Sequence, residues 1–264
     1  MNKFVNRANN DSPAEKSFRR TAITKIQPVI GRVLCYMKPC VIICPGGAYQ
    51  HLAPRESEPV AKAFEKIGVK AEILRYKVRP LPEYDEPRLT PVQQLSERIR
   101  TLRNTCPGSP VLVCGFSAGA HAAATLGVHW HTLGLERPDA MILGYPVITA
   151  EENYIHEGSF ENLSGKENRE FFSLEKHVSA DTPPAFLWHT AADRDVPCEN
   201  SLLFAAALSR AGIPFELHIY PFGEHGLSLA TKEVDQPEKG RLADAHIAGW
   251  MDECAGWLHS MKFL

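Results

Sequence analysis

Val111-Leu112-Val113-Cys114-Gly115-Phe116-Ser117-Ala118-Gly119-Ala120-His121-Ala122-Ala123-Ala124 is the stretch that decides the fold. Its opening apolar run reads as a buried strand, its two glycines mark a tight turn, and the alanine-rich end favours a helix. Strand, turn and helix leave Ser117 at the tip. Side chains beside the serine would clash in so strained a turn, so glycines flank it and the hydroxyl is lifted clear of the sheet, where it can attack a carbonyl. The five-residue pattern alone is common; its strand-turn-helix setting carries the weight.

The same alternation runs outward in both directions. Val41-Ile42-Ile43-Cys44 is a short apolar strand, Pro45-Gly46-Gly47 turns, and 58–67 places Val60, Ala63, Phe64 and Ile67 on one helical face. Further strands are expected at 69–78, 110–114, 140–143, 184–189 and 215–220, and helices at 91–103, 118–130, 201–211 and 243–258. Strands without in-out alternation, separated by helices, imply an α/β fold with a mostly parallel central sheet covered on both faces. Phe64, Phe204 and Trp250 fall on apolar helical faces and read as core. Residues 1–20 read as a flexible arm, 21–38 as short opening strands, and 21–264 as one domain. The exception to the rhythm is 149–181, polar and rich in Glu, Asn and Ser, which follows a strand end and is expected to form a cap-like pocket wall.

A chain of 264 residues, 44 % hydrophobic, suffices for one large core. Its 29 Lys and Arg nearly balance 31 Asp and Glu, leaving a formal charge of -2 without a basic stripe, so nucleic acid is not an expected partner. The first twenty residues are polar, and no apolar run reaches the length of a signal-peptide core or a membrane span, so a cytoplasmic protein without a membrane partner is expected. Of seven cysteines, Cys40, Cys44 and Cys114 lie in apolar runs and read as buried reduced thiols. No metal-ligand spacing stands out, and neither metal nor cofactor is expected.

Acyl transfer by a serine needs a base, a carboxylate to orient that base, and donors for the developing oxyanion. In such a sheet the order should be Ser, Asp, His, on loops at strand ends. The strand ending in Trp188-His189 is followed by Thr190-Ala191-Ala192-Asp193-Arg194-Asp195, and the strand ending in Ile219-Tyr220 by Pro221-Phe222-Gly223-Glu224-His225-Gly226. His225 fits the order and lies between freeing glycines. His121, His129, His131 and His189 read better as packed or solvated. Asp193 and Asp195 could both reach the histidine; Asp193 is favoured because Asp195-Val196-Pro197 looks like a helix entry, where an acid caps N–H groups. The Gly46-Gly47 turn leaves N–H groups free beside the nucleophile, which with the N–H of Ala118 would form an oxyanion hole. Tyr49 beside that turn and Trp188 near Asp193 are candidates to line a substrate pocket.

These stretches resemble the α/β-hydrolase superfamily, in the bacterial acetyl esterase and acetylxylan esterase branch of the esterase/lipase family. The likeness runs from Pro28 onward through Cys44-Pro45-Gly46-Gly47-Ala48-Tyr49-Gln50, Gly115-Phe116-Ser117-Ala118-Gly119, Gly144-Tyr145-Pro146-Val147-Ile148, Thr182-Pro183-Pro184-Ala185-Phe186-Leu187-Trp188-His189-Thr190 and Gly223-Glu224-His225-Gly226. It implies Ser117 as nucleophile, Asp193 as orienting acid, His225 as base, and Gly47 or Ala48 with Ala118 as oxyanion donors. The segment from His156 to Leu174 resembles the same branch and implies a sugar ester over a lipid. Two departures are visible: Pro45-Gly46-Gly47-Ala48 stands where many relatives have His-Gly-Gly-Gly, and Gln93-Gln94 where relatives carry a bracing aspartate. The implied reaction is hydrolysis of short-chain esters, with a small-molecule substrate such as an acylated sugar. Two rivals stand beside it. An oligopeptidase-like hydrolase shares the His-Thr-Ala-Ala-Asp stretch and the Asp193 to His225 spacing, and a hydrolase-fold binding module would hold a small ligand without catalysis.

Overall fold

The apolar runs form a six-stranded sheet in the computed structural model, which describes residues 38–80, 88–165 and 168–264. The expected arm at 1–20 and the opening strands at 21–38, save Lys38, lie outside the described residues. The strands are β1 (Cys40–Cys44), β2 (Lys70–Ile73), β3 (Val111–Phe116), β4 (Ala140–Gly144), β5 (Ala185–Thr190) and β6 (Phe215–Tyr220). They lie in the order β2-β1-β3-β4-β5-β6, and every neighbouring pair is parallel. The helices are α1 (Glu58–Lys66), α2 (Thr90–Thr105), α3 (Ala118–His129), α4 (Glu157–Leu163), α5 (Glu199–Arg210), α6 (Ala245–Ala248) and α7 (Trp250–Ser260).

β1, β3, β4 and β5 are buried along their whole length because each face of the sheet meets helices. Alternate residues divide between two cores. Ile42, Val113, Leu143 and Leu187 pack with Leu95 and Ile99 of α2, Leu126 of α3 and Phe204 of α5. Val41, Ile43, Cys114, Ile142 and Phe186 pack with Val60 and Phe64 of α1 and Trp250, Trp257 and Leu258 of α7. Phe64, Phe204 and Trp250 are thus core residues, as their spacing suggests. The six described cysteines are free thiols, and burial pushes Cys44 up to about 12 and Cys114 well above the ordinary thiol value.

Two elements differ from expectation. The strand expected at 69–78 ends at Ile73, where β1, its one neighbour among the described residues, turns away at Pro45; the last ladder bond is Leu74 N to Ile43 O. The helix expected at 243–258 begins at Ala245, where the Asp244 side chain accepts from the N–H groups of His246 and Ile247, and it breaks at Gly249 into α6 and α7. Gln94 Oε1 accepts from Lys77 N at 2.8 Å, tying the start of α2 to the segment after β2. Among the described residues no helix is long and apolar enough to cross a membrane.

Strand order reverses at β1, with β2 on one side and β3 on the other, so the loops leaving β1 and β3 emerge side by side at the carboxyl end of the sheet. Ligands bind at such switch points in open parallel sheets. The two turns touch: a Cβ on Gly119 would lie 2.0 Å from the Cys44 carbonyl oxygen, so only glycine lets α3 start so close to β1.

Candidate active site

Ser117 follows β3 and caps α3 with φ 52° and ψ -121°, a conformation that non-glycine residues rarely adopt. Its N–H donates to the Gly144 carbonyl, fixing the turn against the end of β4. His225, on the loop after β6, places Nε2 2.9 Å from Ser117 Oγ and Nδ1 2.6 Å from Asp193 Oδ2. The serine, histidine and acid named from the sequence therefore form one hydrogen-bonded chain. Asp193 is only 6 % exposed. Burial alone would raise its carboxyl, but hydrogen bonds and charge from His189 and His225 outweigh that and hold it well below the usual carboxylate range. Asp195 is exposed and outside this chain, and it does not cap: Asp193 Oδ1 accepts from the N–H groups of Asp195 and Val196.

The turn after β1 supplies the facing wall. Gly47, at φ 127°, is followed by Ala48 and Tyr49, both at positive φ, which turns successive N–H groups the same way. A Cβ on Gly47 would meet the His51 carbonyl oxygen at 2.2 Å. Among the described residues the N–H groups of Gly47, Ala48 and Ala118 have no acceptor. Gly47 and Ala48 border a cavity of about 160 Å³ with Ser117 and His225.

Tyr49 and Trp188, expected as pocket residues, lie elsewhere. Tyr49 is buried, with its hydroxyl 2.8 Å from His121 Nδ1. Trp188 points to the opposite core, stacked on Trp250 with ring centroids 5.3 Å apart. Alternate side chains of β5 face opposite sides of the sheet, and Trp188 falls on the side away from the cavity. His121, His129 and His189 are packed and hydrogen-bonded, and His131 is exposed.

The cavity lining holds several residues that the sequence left unremarked: His51, Arg55, Glu56, His156, Lys239 and Arg241. Glu56 is a buried carboxylate that accepts from Gly46 N at 2.7 Å, Tyr145 OH at 2.8 Å and Arg55 Nη2 at 3.1 Å, tying together the turns after β1 and β4. His156, from the polar segment, lies roughly parallel to the His225 ring at 6.4 Å, and burial followed by the nearby His225 lowers its pKa. Asn162 of α4 donates to the Ala48 carbonyl at 2.8 Å and accepts from Arg79. No spacing rule marks these residues, since they are single polar side chains scattered over separate segments. Among the described residues Glu216, His218 and Glu253 could bring ligand atoms within 4.8 Å of one another, but none borders the cavity.

Comparison with known proteins places the chain among hydrolases. Residues 108–257 match the prolyl oligopeptidase family. The chain is 36 % identical over 215 residues to endo-1,4-β-xylanase B of Butyrivibrio fibrisolvens, covering 74 % of this chain and 33 % of that protein. It is 30 % identical over 205 residues to an acetylxylan esterase of Xylanibacter ruminicola, covering 72 % of this chain and 41 % of the relative. It thus spans well under half the length of either. Among solved structures, an acetyl ester-xyloside bifunctional hydrolase from Caldicellulosiruptor lactoaceticus superposes with a TM-score of 0.75 at 37 % identity, covering 86 % of this chain and 84 % of that one. The family matched on sequence is the one whose spacing stood as the rival to the esterase branch, and the six parallel strands with Ser117 at the β3 turn carry its fold. The chain belongs to the prolyl oligopeptidase family of α/β-hydrolases.

Proposed function

We propose that the chain is a serine esterase that removes short, acetyl-type acyl groups from sugars or xylan-derived oligosaccharides. The observation that carries this reading is the unbroken hydrogen-bonded chain Ser117, His225, Asp193 beside N–H groups at Gly47, Ala48 and Ala118 that have no acceptor among the described residues. His225 takes the Ser117 proton as Oγ attacks the acyl carbon, and those N–H groups hold the oxyanion of the tetrahedral intermediate. The intermediate collapses as the histidine gives that proton to the leaving alcohol. Water then attacks the acyl carbon as His225 takes its proton, and the acid leaves as the Oγ–acyl bond breaks and His225 returns that proton to Ser117. Asp193 stays ionised throughout and fixes the imidazole tautomer.

The cavity supports short acyl groups: at about 160 Å³ it is smaller than drug-sized ligand sites. The names of the relatives support a sugar ester. A peptidase reading draws on the family description and on the His189 to Asp193 stretch and the Asp193 to His225 spacing. The test is turnover of p-nitrophenyl acetate, butyrate and octanoate, acetylated xylo-oligosaccharides and a prolyl p-nitroanilide by the native protein and Ser117→Ala. Preference for acetate, with loss of about 1000-fold or more in Ser117→Ala, is expected. Cleavage of the anilide in preference to every ester would replace this reading with the peptidase.

A further inference from the structure

The cavity beside Ser117 carries more positive than negative charge. Arg55, Lys239 and Arg241 border it, and Glu56 is the one carboxylate among the described residues that line it. Glu56 pairs with Arg55. Among the described residues Lys239 and Arg241 have no carboxylate within ion-pairing distance. Both sit on one short hairpin, closed by the antiparallel bridge between Gln236 and Arg241. Arg241 is held firmly: Nε donates to the His225 carbonyl at 2.6 Å and Nη1 to Gln236 Oε1 at 2.8 Å. Arg55 Nε donates to the adjacent Gly226 carbonyl at 2.7 Å.

The two guanidiniums crowd one spot. A Cβ on Gly226 would lie 2.4 Å from Arg55 Nη2 and 3.1 Å from Arg241 Cζ. Burial, and then the Arg55 charge, pull Arg241 below the ordinary arginine value. Bracing the His225 loop requires donors, and a neutral amide could donate to the same carbonyl. A second, unneutralised cation costs energy in the free protein, and an anion bound there recovers it. We propose that Arg241, with Lys239 beside it, forms an anion subsite that selects esters carrying a carboxylate near the scissile bond. The carboxylate belongs to the acyl part, as in a dicarboxylic half-ester, or to the alcohol part, as in a uronic acid.

This rests on the esterase reading, and matched pairs separate the two. 4-Nitrophenyl acetate against 4-nitrophenyl hemisuccinate places the acid on the acyl side, and acetylated methyl xyloside against acetylated methyl glucuronoside places it on the alcohol side. In at least one pair, kcat/KM is expected to favour the acidic member by about 10-fold or more, and added salt is expected to erode the preference. Arg241→Gln is expected to bring it close to parity and Lys239→Ala, at an exposed position, to reduce it. A native enzyme that turns over the neutral esters yet prefers neither acidic member overturns the subsite, as does a preference unchanged in both variants. Failure on every ester removes the esterase reading instead; glucuronate binding by calorimetry, lost in Arg241→Gln, then decides the subsite, and no binding to the native protein overturns it.

Discussion

Asp193 gives its two oxygens different tasks. Oδ2 receives the His225 imidazole, while Oδ1 accepts from two backbone N–H groups of its own loop, so the carboxylate is aimed by the chain that carries it. An asparagine would present an amide donor or a weaker acceptor to Nδ1 and so favour the wrong tautomer. Asp193→Asn is expected to lower kcat by roughly 1000- to 10000-fold with the fold intact. Asp195→Ala, at an exposed side chain, is expected to stay within a few-fold, and steady-state kinetics on one ester checks both. This pair also shows what could be read from residues alone. Chemistry dictates a Ser, an Asp and a His in a fixed order at strand ends, so type and position narrowed the choice to two acids. Nothing comparable marks Arg55, Glu56, His156 or Arg241: their partners lie up to 173 residues away in sequence, and no periodicity betrays them.

At the scale of elements, the polar segment after β4 works through α4. Asn162 bonds the Ala48 carbonyl and is itself held by Arg79, so a helix outside the sheet props the turn that offers the oxyanion donors. Asn162→Ala leaves that carbonyl without its donor and frees the turn to shift. A loss in kcat of about 10- to 100-fold, with KM little changed, is the expected signature of misplaced donors. Urea unfolding should register only about 1 kcal/mol, the ordinary worth of such a bond. Gly119→Ala acts at the opposite junction: its Cβ would meet the Cys44 carbonyl at 2.0 Å, and backbone there cannot give cheaply. Destabilisation of about 3 kcal/mol, read from the denaturation midpoint, is expected. β1, β3, β4 and β5 were legible because burial on both faces leaves continuous apolar runs. β2 is shorter than its sequence suggests, because the run stays strand-like beyond the point where β1 turns away, and pairing is a property of two segments.

His121 binds the three parts of the molecule that meet behind the nucleophile. It lies on α3, takes the Tyr49 hydroxyl of the β1 turn at Nδ1, and offers Nε2–H to the Phe172 carbonyl of the polar segment, with Phe160 and Phe172 ring centroids each 5.6 Å away. The neutral tautomer satisfies both nitrogens. A second proton would sit on Nδ1 facing the tyrosine, away from solvent, and burial lowers its pKa to about 4. The unfolded chain takes that proton near 6.5, so between the two values it binds more protons than the folded protein, and stability falls as pH drops through that window. From pH 7 to pH 5 this one group removes about 2 kcal/mol. His129 and His156, also lowered by burial, act in the same direction. Urea midpoints across pH 5 to 7 should therefore fall steeply on the acid side for the native chain. In His121→Gln the curve should start lower, because a buried pair is disturbed, yet be flatter by about that amount; an equal slope in both would mean that His121 is not the group whose protonation loosens the junction.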